Sequence, residues 1–203
     1  MTAPVIGISR HRMATDGKGI TTLVGFYGCP LRCRYCLNPH SYSETAKRTL
    51  FSPEELYERV KIDQLYFLAT GGGVTFGGGE PLLYPAFLRE FRALCGESWH
   101  LCVETSLSVP WESAAIAAQV IDEFIVDCKD SDPEIYRRYT GKDNREMLDN
   151  LAKLVSVLGA ERVVVRVPLI PGYNTEENRK RSEALFARVG VTRFDFFTYR
   201  REF

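Results

Sequence analysis

The sequence predicts an α/β fold: an open, partial (β/α)6 barrel with a parallel sheet, in a single domain over residues 1–203. Three observations predict it. Strand-like and helix-like segments alternate along the chain. One segment, RVVVRVPLI at 162–170, is the near-continuous apolar run expected of a parallel strand covered on both faces. The chain's 203 residues are too few for a closed eight-fold barrel, which usually needs about 250. Right-handed crossovers would curl six βα units into an open barrel instead.

The elements follow in order. ITTLVGFY at 20–27 reads as the first strand, with a cysteine-rich loop behind it. Ser52 opens a helix: Pro53 suits the first helical position and Glu55 completes a capping box, and the helix should run to about Leu68. VTF at 74–76 is a short second strand ending in GGGE, and a helix follows over 85–94. HLCVET at 100–105 is the third strand, 111–120 a helix, and IDEFIVDCK at 121–129 the fourth strand. Residues 144–158 carry Met147, Leu148, Leu151, Leu154, Val155 and Leu158 at helical spacing. The apolar run at 162–170 is the fifth strand, 176–189 a helix, and RFDFFTY at 193–199 the sixth strand.

Composition narrows the function. Lys plus Arg equals Asp plus Glu at 26 each, so no basic excess argues for nucleic acid or an anionic membrane. The N-terminus has no apolar signal region, and no run of about 18 apolar residues exists to span a membrane. A cytoplasmic protein is expected, so the six cysteines are not read as disulfides. Cys95, Cys102 and Cys128 sit among apolar neighbours and read as small buried hydrophobes.

The remaining three are different. YGCPLRCRYCLNPH at 27–40 sets Cys29, Cys33 and Cys36 within eight residues. Clustered thiolates are soft ligands for zinc, copper(I) or an iron–sulfur cluster. With His40 as a fourth ligand the pattern is C-x3-C-x2-C-x3-H, a structural zinc site; three ligands alone would suit a catalytic zinc. Three thiolates could equally hold three corners of a 4Fe–4S cube and leave one iron for a non-protein ligand. The other unusual residues stand at the ends of the expected strands, where such barrels carry their chemistry: GGGE, Glu104-Thr105, Asp127-Cys128-Lys129, Arg166 and Tyr199-Arg200.

The C-x3-C-x2-C spacing, Tyr35 before the last cysteine, the preceding strand and TFGGGEPL at 75–82 together resemble the radical S-adenosylmethionine superfamily. Within it the chain is most similar to glycyl-radical-enzyme activating enzymes of the pyruvate formate-lyase type, over nearly its whole length. The matching motifs are Asp16-Gly17-Lys18-Gly19-Ile20, GCPLRCRYCLNP, GGGVTFGGGEPLL, Glu104-Thr105, Asp127-Cys128-Lys129, Arg166 and Pro171-Gly172. The resemblance implies one 4Fe–4S cluster on Cys29, Cys33 and Cys36, with the amino and carboxylate groups of S-adenosylmethionine on the open iron. It implies Tyr35 and Asn38 beside the adenine, with Phe197 packing on it. Gly78, Gly79 and Glu80 would hold the methionine amino end, Thr105 and Lys129 would meet the carboxylate, and Arg166 would lie toward the ribose. Glu104 and Asp127 match an acidic pair that can hold a monovalent cation, and Asp16 would touch the glycine loop of a protein substrate.

The activity so implied is reductive cleavage of S-adenosylmethionine, then removal of a glycine Cα hydrogen from a partner glycyl radical enzyme, with a flavodoxin or ferredoxin as electron donor. The chain departs from the family pattern at Lys18 (proline), Thr21 (arginine), Glu104 (often aspartate) and Arg200 (commonly histidine). It ends at Phe203, directly after strand six, where longer relatives continue with a helix. Two rival readings stand beside this one. The first is another radical enzyme, an anaerobic ribonucleotide reductase activase or a peptide-modifying member. The second is a Cys3His zinc-binding module that depends on His40.

Overall fold

The computed structural model describes residues 1–13 and 16–199. Arg200, singled out above, lies outside the described residues. Eight strands form one sheet in the order β3-β1-β2-β4-β5-β6-β7-β8. Six of them are the expected parallel run: β2 (Ile20–Phe26), β4 (Gly73–Gly78), β5 (His100–Thr105), β6 (Glu123–Asp127), β7 (Val163–Arg166) and β8 (Arg193–Asp195). Two more, β1 (Ala3–Met13) and β3 (Thr49–Phe51), add an antiparallel extension beyond β2. The fold is thus mixed α/β, with a mostly parallel sheet flanked by helices in the manner of a partial barrel.

Side chains alternate across each strand, so register decides what each face holds. Val24, Phe26, Val74, Phe76, Leu101, Val103, Phe124, Val126, Val163 and Val165 are buried on one face. They share one core with Leu88 and Phe91 of α3 (Pro85–Cys95), Ala114 and Ala117 of α4 (Trp111–Ala118) and Leu151 and Leu154 of α6 (Arg145–Leu158). The alternate positions mix apolar residues, among them Leu23, Cys102, Ile125 and Val164, with Glu104, Asp127 and Arg166 toward the C-terminal ends. Asp127 stands opposite Arg166, and Arg166 opposite Asp195, across adjacent strands. The run 162–170 is therefore not covered by apolar layers on both sides: one face packs under helices, and the other lines the charged interior of the barrel.

That run is also a shorter strand than its apolar character suggests: the regular strand ends at Arg166. Its hydrogen bonds to the last strand continue through Val167 N–H to Asp195 O at 3.0 Å and through Leu169, which bridges Thr198, with Pro168, which has no N–H, between them. The last of these bonds, Leu169 N–H to Phe197 O at 2.8 Å and Tyr199 N–H to Leu169 O at 3.0 Å, fix the backbone that carries Phe197 and Tyr199.

The helix expected from Ser52 to Leu68 is broken into α1 (Pro53–Val60) and α2 (Gln64–Thr70) by a 3-10 turn. Its start is as read: Ser52 Oγ accepts from Glu55 N–H, and Glu55 returns a carboxylate to Ser52 N–H at 2.7 Å. The break comes from Asp63, which is buried and pulled toward the sheet. Its carboxylate accepts from the Arg10 guanidinium and from Thr22 Oγ1 at 2.7 Å, and lies 3.1 Å from His11 Nε2. Arg10 and His11 reach it together because β1 is irregular between Ser9 and Arg12, with His11 at φ 57°.

A helix that the sequence reading passed over, α5 (Pro133–Thr140), supports the cysteine loop. Asp132 caps it by accepting from Glu134 and Ile135 N–H, and Gly141 ends it in the left-handed conformation at φ 82°. The last helix, α7 (Glu176–Arg188), follows the expected span.

Candidate active site

The loop after β2 is held from three sides. Arg32 N–H donates to Thr140 O at 2.9 Å and Arg34 N–H to Tyr139 O at 3.1 Å, so the loop hangs on the carbonyl end of α5. Gly28 N–H donates to Ser41 O at 2.6 Å. Gly28 O in turn accepts from Glu80 N–H at 2.7 Å, and Phe26 O from Gly79 N–H at 2.9 Å, which joins the cysteine loop to the glycine turn after β4. The approach is so close that a Cβ on Gly79 would lie 2.1 Å from Gly28 O. This is the physical reason for glycine there.

One cleft at the C-terminal strand ends gathers most of the residues singled out in the sequence. Cys29, Cys33, Cys36 and Asn38 line it from the loop, and Gly78 and Gly79 from the turn. Glu104, Thr105, Asp127, Lys129, Arg166 and Phe197 line it from the later strands. Leu37, Ser106 and Tyr199 join them without having been singled out as ligand contacts. His40 lines a neighbouring cavity and not this cleft, so the fourth ligand of a Cys3His site stands apart from the thiols.

Three expected residues are not among those lining the cleft. Tyr35 packs edge-on against Tyr139 and Tyr173, and its hydroxyl donates to Pro171 O at 3.1 Å. Glu80 is buried, and its carboxylate is turned to the end of β5. There it accepts from Thr105 Oγ1 (2.7 Å), Ser106 Oγ (2.6 Å), Ser106 N–H (2.9 Å) and Leu82 N–H (3.2 Å). Burial raises its pKa against those hydrogen bonds. Asp16 is buried on the Arg12 guanidinium, with its backbone carbonyl on the Thr75 hydroxyl.

Lys129 is the best-defined charged group of the cleft. Its buried ammonium donates to Asp127 Oδ2 and Tyr199 OH, each at 3.0 Å. Burial alone would lower its pKa, but Asp127 and then Tyr199 outweigh it and hold the ammonium charged. The sequence marks Tyr199 only as a strand-end residue; its hold on Lys129 appears when the backbone after Leu169 brings its hydroxyl there. Arg166 spans Glu104 at 2.6 Å and Asp195 at 3.1 Å. Burial raises the Glu104 pKa, with Arg166 opposing.

The donor set fits a group bound through soft ligands. Burial raises the thiols of Cys29, to about 12, and Cys33. Desolvated thiols become thiolates when a metal centre supplies the compensating charge. Among the described residues no three His, Cys, Asp or Glu side chains form a group that could hold a single metal ion. A monovalent cation fits poorly at Glu104 and Asp127, because Arg166 and Lys129 already neutralise them. No helix among the described residues is long and apolar enough to cross a membrane.

Comparison with known proteins agrees with this geometry. The profile of the Radical SAM superfamily matches residues 23–182. The pyruvate formate-lyase-activating enzyme of Clostridium pasteurianum is 36% identical over 77% of this chain and 64% of its own length. The pyruvate formate-lyase-activating enzyme of Staphylococcus aureus is 31% identical over 91% of this chain and 76% of its own. The isethionate sulfite-lyase activating enzyme of Oleidesulfovibrio alaskensis is 30% identical over 87% and 77%. Among solved structures, Streptococcus suis SuiB bound to S-adenosylmethionine superposes with a TM-score of 0.66 at 13% identity, over 89% of this chain and 42% of that one. TYW1 with a lysine-pyruvate adduct gives 0.63 at 17% identity, over 89% and 65%. The chain thus spans less than two thirds of these solved chains and of the Clostridium enzyme. The family match over most of the chain, and the two relatives at 30% identity or above that it covers by more than two thirds, make it a member of the radical S-adenosylmethionine superfamily, closely related to the glycyl-radical-enzyme activating enzymes of pyruvate formate-lyase type.

Proposed function

We propose that this chain is a glycyl-radical-enzyme activating enzyme. Its partner would be a glycyl radical enzyme, and its cofactors one 4Fe–4S cluster on Cys29, Cys33 and Cys36 together with S-adenosylmethionine. The observation that carries the reading is the meeting of three thiols, the glycine turn and the buried Lys129 ammonium in one cleft. Held by those three thiols, the cluster would supply one electron for the reductive cleavage of S-adenosylmethionine, and with it the radical chemistry that removes a hydrogen atom from a glycine Cα.

The chain's own residues bind, orient and exclude water. Lys129 offers a fixed positive charge to the methionine carboxylate, and Asp127 and Tyr199 hold that charge in place. Gly78 and Gly79 let the backbone approach the amino end. Phe197 offers an apolar face to the adenine, and Arg166, anchored by two carboxylates, stands on the ribose side. Asn38 and Gly78 also line the neighbouring cavity of about 650 Å³ along β1 and β2, which gives a peptide segment room to reach the same cleft.

Anaerobic reconstitution with iron and sulfide, followed by reduction, tests the reading by electron paramagnetic resonance. A reduced-cluster signal that changes on adding S-adenosylmethionine is expected. One bound zinc and no sulfide would overturn it. Tyr199→Phe removes one of the two hydrogen bonds on Lys129, a net loss of about 1 kcal/mol. S-adenosylmethionine affinity, read by titration calorimetry, should then fall about five-fold, with the cluster signal retained.

A further inference from the structure

The segment 168–174, between β7 and α7, lines no part of the cleft, yet it is bonded to three parts that do. The first is the last strand. Leu169 N–H donates to Phe197 O at 2.8 Å, and Leu169 O accepts from Tyr199 N–H at 3.0 Å; both Phe197 and Tyr199 line the cleft. The second is the cysteine loop. Pro171 O accepts from the Tyr35 hydroxyl at 3.1 Å, and Tyr35 stands between Cys33 and Cys36. The Tyr173 ring packs edge-on against Tyr35, with ring centres 5.6 Å apart, and against Tyr139 of α5 at 5.1 Å. The third is the strand of Lys129. Asn174 donates to Asp130 Oδ2 at 3.0 Å, and Asp130 directly follows Lys129.

Asn174 is where the three meet. A side-chain amide has two N–H donors and one carbonyl oxygen, and here all are used. Nδ2 donates to Asp130 and to Pro168 O at 3.1 Å, and Oδ1 accepts from Ile170 N–H at 2.6 Å. Pro168 and Ile170 flank Leu169, so Leu169 is pinned by Asn174 on one edge and by the last strand on the other. Asp130 is a fixed anchor for this amide. It is 1% exposed, and its Oδ1 accepts from Asp132 N–H at 2.9 Å. A buried carboxylate needs such donors, and Asn174 supplies the one on Oδ2.

We infer that Asn174 is a positioning residue of the cleft: its amide fastens the segment 168–174 to Asp130 and so sets the cysteine loop and the Tyr199 hydroxyl against Lys129. The inference rests on the proposed function for what the cleft binds. Asn174 acts on S-adenosylmethionine without touching it. An amide is needed there, and its size alone does not suffice. Aspartate at 174 would keep an acceptor for Ile170 N–H but turn both donors into lone pairs facing Asp130 Oδ2 and Pro168 O.

Asn174→Asp tests this by two readouts. In the apo-protein, hydrogen exchange at the Leu169 and Tyr199 amides should quicken, while that of β4 and β5 stays as in the parent. After reconstitution, iron and sulfide contents should match the parent. The Kd for S-adenosylmethionine, read by titration calorimetry, should rise at least about ten-fold, as is usual when a group that orients a ligand contact is lost. Adding Asp130→Asn restores a donor opposite the new carboxylate and should recover part of the lost affinity, because the two positions act through one bond. Thr175→Ala is the control. It removes the cap of α7 one residue on and lowers stability, but should leave the affinity as in the parent. Parental affinity in Asn174→Asp would overturn the inference, and so would unchanged exchange at Leu169 and Tyr199. An equal loss of affinity in Thr175→Ala would overturn it too, since stability alone would then explain the effect. If Asn174→Asp does not fold, Asn174→Ser, too short to reach Asp130 and free of added charge, is read against the same outcomes. A parent that assembles no cluster would overturn the proposed function, while the exchange readout would still decide whether Asn174 fastens the segment.

Discussion

Cys33→Ala is expected to abolish reductive cleavage of S-adenosylmethionine. Loss of a group that merely supports a metal ligand typically costs 10- to 100-fold; loss of a ligand itself from a set of three should cost more than about 100-fold. Cys33 lines the cleft from the loop and is close enough to Lys129 and Cys36 to feel both charges. The same outcome is expected for Cys29→Ala and Cys36→Ala, and a variant that still cleaves normally would sink the cluster assignment. A control separates lost ligand from lost fold. Cys95, at the end of α3, is buried and is not among the residues that line the cleft, and Cys95→Ser should leave the cluster signal intact even as it lowers stability.

The apo-protein gives an independent reading of the same thiols. Burial raises Cys29 from its ordinary 9.0 to about 12. A group whose folded pKa lies above its unfolded value favours folding below the unfolded value and loses that contribution as pH rises through the folded one. Apo-protein stability should therefore fall as pH climbs from about 9 toward about 12, as thermal melts would record. In the same state Cys29 should react slowly with iodoacetamide near neutral pH. Rapid alkylation there would mean the thiol is not desolvated as the structure has it.

Much of this was legible in the sequence for a physical reason. Local signals are written in adjacent residues: Ser52-Pro53-Glu54-Glu55 opens a helix, and GGGE stops a strand. Period-two alternation brought Glu104, Asp127 and Arg166 to strand ends on one side of the sheet. What was missed depends on partners distant in sequence. Nothing near Asp63 announces that Arg10 and Thr22 will draw it inward and break the helix. The arrangement of β1 is obscured by its irregularity around Arg10 and His11. Nothing beside Glu80 shows that Thr105 and Ser106, about 25 residues on, will take both its carboxylate oxygens. The α5 signal was available in Asp132-Pro133-Glu134 and Gly141, and its value to the site lies in carbonyls that no motif displays.

Gly79→Ala should be among the most damaging single-methyl additions in the molecule. Its Cβ would lie 2.1 Å from Gly28 O, 2.8 Å from Phe26 O and 3.0 Å from Gly28 C. All three are backbone atoms, so no side chain can swing aside. Relief requires separating the two loops, which breaks Gly79 N–H to Phe26 O and Glu80 N–H to Gly28 O. Overpacking of about 1–3 kcal/mol, with about 1 kcal/mol for each lost bond, gives a cost of about 3–5 kcal/mol. In a chain of this size that lowers the melting temperature by about 6–20 °C. Stability alone does not show that the glycine serves the cleft, and Gly73 supplies the contrast. It stands at the other end of β4, where a Cβ would lie 2.2 Å from His100 O, an equally hard clash. Both alanine variants should melt early. At a temperature where both remain folded, Gly73→Ala should still bind S-adenosylmethionine to the reconstituted cluster, and Gly79→Ala should not, because only there does the strain move the cysteine loop against the glycine turn. Equal binding by the two would mean that the turn after β4 holds the fold together without shaping the site.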